Sequence, residues 1–373
     1  MGETLLGPPV AATEGGRRPR TSLWGIFGLG ATILLIAIVI AGFLIHVPYS
    51  TLSPGDAVPL TQLVRVTGGK TFPDARGDIR LLYVRERNHV NVWRFLQAQF
   101  AADTDVIKDN VLNPTGQSQT QQNALADQQM ADAKNAATKV ALEAAGYTVR
   151  PIAGLTVSDL VSGTPAERVL RYGDIILTAD GRTITGSRDL TDVIEKHRAG
   201  EQVTIGILRS GQRQTVKVGI ASDATRRFIG VIVTPRFAFP VNVEIDTAGI
   251  GGPSGGLAMA LAILDDLTPG NLTGGTRVAV TGTIGFAGTV GEIGGIEQKA
   301  VAARAAGARL FIVPACTMPE TKVSCETDLQ RATKRVGAKV KVVAVQTFDE
   351  ALRVLRQNGG DAVQRMGPDA KAA

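Results

Sequence analysis

The chain has 373 residues, enough for two or three domains, and 44% of them are hydrophobic, enough for real cores. Only 5% are aromatic, so those cores are expected to be packed with Ala, Val and Leu. The net charge of +6 is spread along the sequence without the clustered Lys/Arg stripe of a nucleic-acid face, which argues against nucleic acid as a partner.

Residues 1–20, rich in Gly, Pro and Arg, read as a short cytoplasmic tail. From Thr21 to Gly55 there is no formal charge. Within that stretch Leu23 to Val47 is a run of 25 residues. As a helix it would be about 37 Å long, against a hydrocarbon layer of about 30 Å. A secretory h-region is shorter and precedes an A-x-A-like site; no two alanines between Leu23 and Leu60 stand two apart. The spacing therefore predicts an uncleaved single-pass transmembrane anchor over 21–48. Arg17, Arg18 and Arg20 precede it, and the first Lys or Arg after it is Arg65. The positive-inside rule puts the N-terminus in the cytoplasm and the remainder outside.

Residues 49–150 are expected to form an extracytoplasmic N-terminal region. Short strands are predicted at Leu63–Val66 and Ile79–Val84 and a helix at Val92–Phe100, with no chemistry legible. Gly69-Lys70-Thr71 looks like the end of a phosphate loop, but Val64 stands where that motif needs glycine. Residues 117–146 lack Gly and Pro between Gly116 and Gly146 and favour helix. Their few large apolar residues suggest an exposed spacer between domains.

From 151 to 222 the pattern changes to short strands and turns. Val161-Ser162-Gly163-Thr164-Pro165-Ala166-Glu167, Gly173-Asp174-Ile175-Ile176-Leu177 and Asp180-Gly181-Arg182 resemble a bacterial PDZ domain. A helix from Ser187 to His197 and a hairpin turning at Ser210-Gly211 follow. The resemblance implies strand-addition binding of extended peptides. The nearest match to that family's carboxylate loop is Ala153-Gly154-Leu155-Thr156.

Val241–Ile245 alternates as a strand. A glycine-rich turn, Ala248 to Gly256, then enters an apolar helix, Leu257–Leu264. Gly252-Pro253-Ser254-Gly255-Gly256 fits G-x-S-x-G. A hydrolase elbow needs a histidine after its serine, but His46, His89 and His197 all lie before Ser254; carboxylates or lysine remain as bases. By themselves these residues fit a bland glycine turn or an anion-binding loop as well as a nucleophile. Gly294-Gly295 opens a second helix carrying Lys299 in its first turn. There the helix dipole and the neighbours Ile296, Ala300 and Val301 would disfavour the ammonium form. Backbone N–H groups at Gly252, Ser254 and Gly255 are candidates for holding an oxyanion.

These same residues carry a second resemblance. From about Phe228 to Gln357 the chain looks like the proteolytic domain of Lon proteases. Gly252-Pro253-Ser254-Gly255-Gly256 resembles Lon's Gly-Pro-Ser-Ala-Gly, and Val280-Thr281-Gly282-Thr283-Ile284 resembles Leu-Thr-Gly-Glu-Ile. Gly294 to Lys299 resembles the segment ending in the catalytic lysine. The resemblance implies Ser254 as nucleophile, Lys299 as base, Thr281 as a supporting hydroxyl, no metal or cofactor, and a homo-oligomer. Span, PDZ-like domain and Lon-like domain together resemble the membrane-anchored, PDZ-containing Lon-like proteases of bacteria. Two departures stand out. Thr283 replaces the glutamate, and no ATP-binding loop is legible, so substrates should be flexible or presented by a partner.

The Lon-like domain is expected over 226–358, with strands at Leu310–Pro314 and Val340–Val345, helices near Asp328–Val336 and Phe348–Gln357, and a loose tail at 359–373. Cys316 and Cys325 are the only cysteines, and outside the cytoplasm a bridge between them is permitted. The expected fold class is α/β: a Lon-type domain preceded by a PDZ-like β-rich domain and one N-terminal transmembrane helix. The expected activity is that of an ATP-independent serine endopeptidase acting on protein or peptide substrates outside the membrane. A non-catalytic membrane scaffold and an esterase are the competing readings.

Overall fold

The computed structural model describes residues 23–73, 77–112, 118–247, 249–316 and 322–368. The expected tail at 1–20, Ala248 and the last residues from 369 lie outside these. The first part of the chain runs α1 (Leu23–Leu44), β1 (Tyr49–Pro59), β2 (Val64–Thr67), β3 (Asp78–Arg87), α2 (Val92–Phe100), β4 (Asp105–Lys108), α3 (Asp109–Leu112) and α4 (Gln119–Ala144). A middle part follows: β5 (Arg150–Leu160), β6 (Ile175–Ala179), β7 (Arg182–Thr183), α5 (Ser187–Ile194), β8 (Gln202–Arg209), β9 (Gln212–Gly219), β10 (Ala221–Ser222), β11 (Arg227–Phe228) and β12 (Val231–Ala238). The last part runs β13 (Asn242–Ile245), α6 (Gly256–Leu267), β14 (Arg277–Val280), β15 (Thr283–Ile284), β16 (Val290–Gly291), α7 (Ile296–Ala305), β17 (Leu310–Pro314), α8 (Lys322–Val336), β18 (Lys341–Val345) and α9 (Phe348–Gln357).

The first and last parts build one sheet together, in the order β18-β17-β14-β3-β1-β4. Its centre is parallel: Asp78 to Leu81 of β3 pair with Arg277 to Val280 of β14. Strands β1 and β4 extend it antiparallel. Strand residues alternate between two faces. Ile79, Leu81, Val278, Val280, Leu310 and Ile312 face one core with α4, α6 and α9. Leu82, Ala279, Phe311 and Val313 face a second with α7 and α8. The result is a three-layer α/β/α unit.

Two expectations change here. Residues 49–150 are not a separate region, because their strands complete the sheet and β2 pairs with β13. Nor is α4 an exposed spacer. It starts cleanly at Ser118, whose side chain and that of Gln121 each accept from the other's backbone N–H. Met130, Ala133, Ala137, Val140 and Ala141 then recur at helical spacing and are buried against α6. Small side chains let the two helices approach closely, so a face that looks weakly apolar in sequence is core. The expected loose tail is also tied down over its described part: Asp361 N–H donates to the Asn271 carbonyl (2.9 Å), and Met366 and Gly367 donate to that of Ala145.

The middle part folds on itself around a core that includes Leu155, Ile176, Val203 and Ile205, in a sheet ordered β12-β5-β6-β8-β9. The expected boundary near 222–226 falls too early, because β12 pairs with β5 from Val231↔Leu160 to Ala238↔Arg150. The Thr164–Glu167 segment enters a single 3-10 turn, Ala166–Arg168, and not an α-helix. Asp174 is buried and takes two bonds from Arg209, at 2.8 and 2.6 Å, so this motif aspartate has a structural task. The whole unit is thus an insertion between α4 and β13, and its ends, Arg150 and Ala238, are cross-strand neighbours.

The burial of α4 yields a direct measurement. Leu142 is fully buried, so Leu142→Ala should cost about 2–5 kcal/mol in denaturant unfolding. A residue on a solvated spacer would change stability by no more than about 0.5 kcal/mol.

Candidate functional site

The site forms where three segments meet beyond the C-terminal end of β14. Val278 and Val280 point to the α6 side and Ala279 to the α7 side. The next residue, Thr281, by alternation turns towards α7. Ser254 lies in the turn just before α6, which begins at Gly256, so the serine precedes the helix and is not in its first turn. Two bonds tie these segments in register. Gly282 N–H donates to the Ser254 carbonyl (2.9 Å), and Leu257 N–H donates to that of Gly282 (3.1 Å). The glycines after the serine permit the approach: a Cβ on Gly256 would stand 2.8 Å from Ile284 Cγ2.

Lys299 arrives from the opposite face of the sheet. Gly295, with φ of 66°, caps α7 in the left-handed conformation that glycine adopts readily. From there Ile296, Lys299, Ala300 and Ala303 recur at helical spacing, so the lysine stands on the apolar face. It is 2% exposed. Its Nζ donates to Ser254 Oγ at 2.9 Å and to Thr281 Oγ1 at 3.2 Å. Thr281 Oγ1 in turn donates to the Ser254 carbonyl at 3.2 Å. Burial pushes the lysine from its ordinary 10.5 down to about 7.

The neighbours of the lysine on α7 are turned elsewhere. Glu297 accepts from Arg331 (2.6 Å) and Arg335 (2.8 Å) of α8. Buried Gln298 donates to Asp105 of β4 (2.8 Å), a partner 193 residues away in sequence. The first turn of α7 is therefore pinned on both flanks, and no carboxylate reaches Lys299 Nζ among the described residues.

Ser254, Thr281 and Lys299, expected together from sequence, come together. The three oxyanion candidates divide. Gly252 N–H donates to the Ala126 carbonyl of α4 (3.2 Å). Among the described residues the Ser254 and Gly255 N–H groups carry no such bond. Cys316 and Cys325 are joined in a disulfide, Cα–Cα 5.7 Å, between β17 and α8. It borders a cleft shared with Ile293 and Ile296, at the entry to α7.

No chemistry is legible in the sequence of the first part of the chain, yet β3 supplies a wall. Tyr83 to Arg87 line a groove with Gly249, Ile250, Gly251 and Ser254. Strand β14 pairs β3 only as far as Leu81, so the edge of β3 beyond it is left open beside the serine. No local pattern in 83–87 announces this, because the partner strand is supplied by the far end of the chain. In the inserted domain, Ala153 to Thr156 cannot serve as a terminal-carboxylate loop. They lie where β5 is flanked by β12 and β6, and Gly154 N–H donates to Ile184. Beyond β5 this sheet ends in β12, an edge strand that runs beside α5; the other edge is β9.

Residues 239–357 match the family model of the Lon protease (S16) C-terminal proteolytic domain, and residues 124–220 match that of the PDZ domain. Lon protease of Clostridioides difficile is 29% identical over 167 residues, 43% of this chain and 20% of that protein. Lon protease of Campylobacter concisus is 32% identical over 133 residues, 36% of this chain and 14% of that protein. Among solved structures, the PDZ domain of the SdrC-like protein from Listeria monocytogenes has 24% identity and a TM-score of 0.21, covering 21% of this chain and 86% of that one. The chain spans about a fifth or less of the length of these curated relatives. It carries a PDZ domain and a Lon-type proteolytic domain.

Two outcomes follow from the buried lysine. If its neutral amine is the active form, peptide hydrolysis should rise with pH through about 7 and then level off. Lys299→Arg, always protonated, should lose on the order of 10²–10⁴ in rate at every pH. Folding stability also rises with pH, over a higher window. Between about 7 and 10.5 the unfolded chain binds the extra proton, so folding stability rises with pH over that window and is lowest below it. Lys299→Met should be inactive yet harder to unfold than the parent near neutral pH, with the advantage shrinking towards the upper limit.

Proposed function

We propose that this chain is a membrane-anchored serine endopeptidase, with Ser254 as nucleophile and Lys299 as general base, that cleaves extracytoplasmic proteins without nucleotide. The observation that carries the proposal is the 2.9 Å contact between Ser254 Oγ and a lysine amine held out of water.

In the neutral form the Lys299 amine accepts the Ser254 proton as Oγ attacks the scissile carbonyl. Thr281 Oγ1 fixes the position of Nζ. The carbonyl oxygen gains negative charge within reach of the N–H groups of Ser254 and Gly255, at the positive end of α6. The lysine, now an ammonium, protonates the leaving amine and so frees the first product. A water molecule then attacks the acyl-serine, giving its proton to the regenerated amine, and the ammonium returns that proton to Ser254 Oγ as the acid product leaves. Every proton enters and leaves through one nitrogen, and the site needs no metal.

The substrate is a flexible segment lying extended along the open edge of β3, Tyr83 to Arg87, as an added strand. Absence of a phosphate loop at Gly69-Lys70-Thr71 agrees with hydrolysis that does not depend on ATP. Extracytoplasmic placement is favoured by three features. The helix α1 is long and apolar enough to cross a membrane; the basic residues Arg17, Arg18 and Arg20 stand on its N-terminal side; and the Cys316–Cys325 bridge suits an oxidising compartment. The inserted PDZ domain recruits substrate through the edge of β12. A polar latch connects it to α4, where Asp132 accepts from Thr234 Oγ1 (3.0 Å) and from Ser158 Oγ.

A fluorophosphonate probe should label the parent protein and not Ser254→Ala; equal labelling of both would reject the nucleophile. Since Arg150 and Ala238 are neighbours, residues 151–237 can be replaced by a short turn without opening the catalytic unit. The shortened enzyme should hydrolyse a short unstructured peptide at the parental rate and lose most of its activity on a protein substrate. Equal loss on both would mean the inserted domain takes part in chemistry.

A further inference from the structure

Among the described residues, helix α2 is amphipathic and leaves large apolar side chains uncovered. Val92–Phe100 puts Trp93, Leu96 and Phe100 on one stripe by their spacing of three and four. Phe100 is 89% exposed and Leu96 42%. The opposite side is satisfied: Ala98 is buried, and the Phe95 ring packs on Tyr49 at 4.9 Å between centroids.

The position of α2 relative to α1 is fixed by the backbone. Val47 N–H donates to Val90 (2.9 Å), Val90 N–H to Tyr49 (3.0 Å) and Val92 N–H to Ile45 (3.1 Å). No free linker separates the apolar helix from the catalytic unit, so α2 cannot slide along α1. Its depth is given by Trp93, whose Nε1 donates to the Val39 carbonyl at 2.9 Å. Gly42 makes room for the indole, since a Cβ there would lie 2.2 Å from Nε1. Val39 and Gly42 both belong to the last two turns of α1, so the indole enters on the order of 7 Å before the helix ends. At that level Val39, Ile40 and Phe43 of α1 are themselves exposed apolar side chains.

We propose that α2 lies in the interfacial layer of the bilayer that α1 crosses, with Leu96 and Phe100 turned to phospholipid and Trp93 packed between α2 and α1. The inference rests on α1 being a membrane anchor and adds a second, non-spanning contact to it. An interfacial helix has this composition: an apolar stripe with aromatic residues and a polar flank, here Arg94 and Gln99. A helix of nine residues is too short to cross, and its uncovered stripe is continuous with the lipid-facing surface of α1. Two contacts at different depths fix the tilt of the catalytic unit. Arg87, at the end of the substrate groove, pairs with Thr51, close to the start of β1, which begins five residues after α1 ends. The groove is thereby held near the bilayer, which favours cleavage of juxtamembrane segments.

The test uses the full chain in phosphatidylcholine vesicles, with single cysteines carrying an environment-sensitive fluorophore and nitroxide lipids as quenchers. Ile36→Cys reports on α1, Phe100→Cys and Leu96→Cys on α2, and Gln212→Cys, on the exposed β8–β9 hairpin, serves as the aqueous reference. The label on Ile36→Cys should lose most of its fluorescence to a nitroxide deep in the acyl chains. Those on Phe100→Cys and Leu96→Cys should lose most of theirs to a nitroxide near the headgroup. Quenching at Ile36→Cys alone, with the α2 labels behaving like Gln212→Cys, overturns the interfacial helix and leaves the anchor standing. Labels on α2 shielded from aqueous iodide but untouched by lipid nitroxides would point to a protein occupant and overturn it too. If no position is quenched by lipid, the anchor fails, and the inference with it.

Discussion

A single dry lysine sets the terms for the rest of the molecule. Lowering Lys299 from 10.5 to about 7 corresponds to roughly 5 kcal/mol, at about 1.4 kcal/mol per tenfold. A whole domain is stable by only about 5–15 kcal/mol. The cores on both sides of the sheet must therefore outweigh a deliberately unfavourable residue. The surroundings avoid the cheaper solution of an ion pair. Glu297, only two positions away, is held by Arg331 and Arg335 of α8, and Nζ bonds instead to the hydroxyls of Ser254 and Thr281. Had that glutamate turned inward, the amine would hold its proton and the dyad would be an inert salt bridge.

The supports of this arrangement come from widely separated parts of the chain. Asp105 steadies α7 through Gln298, and Ala126 of α4 holds the serine turn through Gly252. Both supports lie in a region that a family boundary at residue 239 leaves out. The same helix α4 carries Asp132, which receives the inserted domain. One helix thus touches the serine turn near its start and the PDZ sheet one to two turns later.

Much of the architecture was legible where local pattern and local structure coincide. Val92–Phe100 has the periodicity of the helix it forms, and the glycine punctuation around Ser254 and Lys299 marks both turns of the candidate site. What escaped has a common physical origin. Alanine counts little on hydrophobicity scales, yet Ala133, Ala137 and Ala141 form a fully packed face because they allow another helix to come close. Strand partnership is invisible to periodicity: nothing in Ile79–Leu82 states that β14 will lie beside it. The carboxylate loop matched to Ala153 to Thr156 falls inside the inserted sheet, because β12, last in chain order, pairs beside β5.

The interrupted catalytic sheet has a consequence for how the protein is made. Synthesis delivers β1, β3, β4 and α4 first, then the whole inserted domain, and only afterwards the strands β14, β17 and β18 that close the sheet. Non-local pairing of this kind is slow, and domains that pair internally fold as units while the chain is still emerging. The inserted domain completes itself while Ile79, Leu81 and Leu82 on β3 still lack their cover. During that interval the nascent chain exposes a strand edge with three core side chains. A chaperone that shields such an edge, or a delay in maturation of the inserted domain, would set the yield of active enzyme without touching a single residue of the active site.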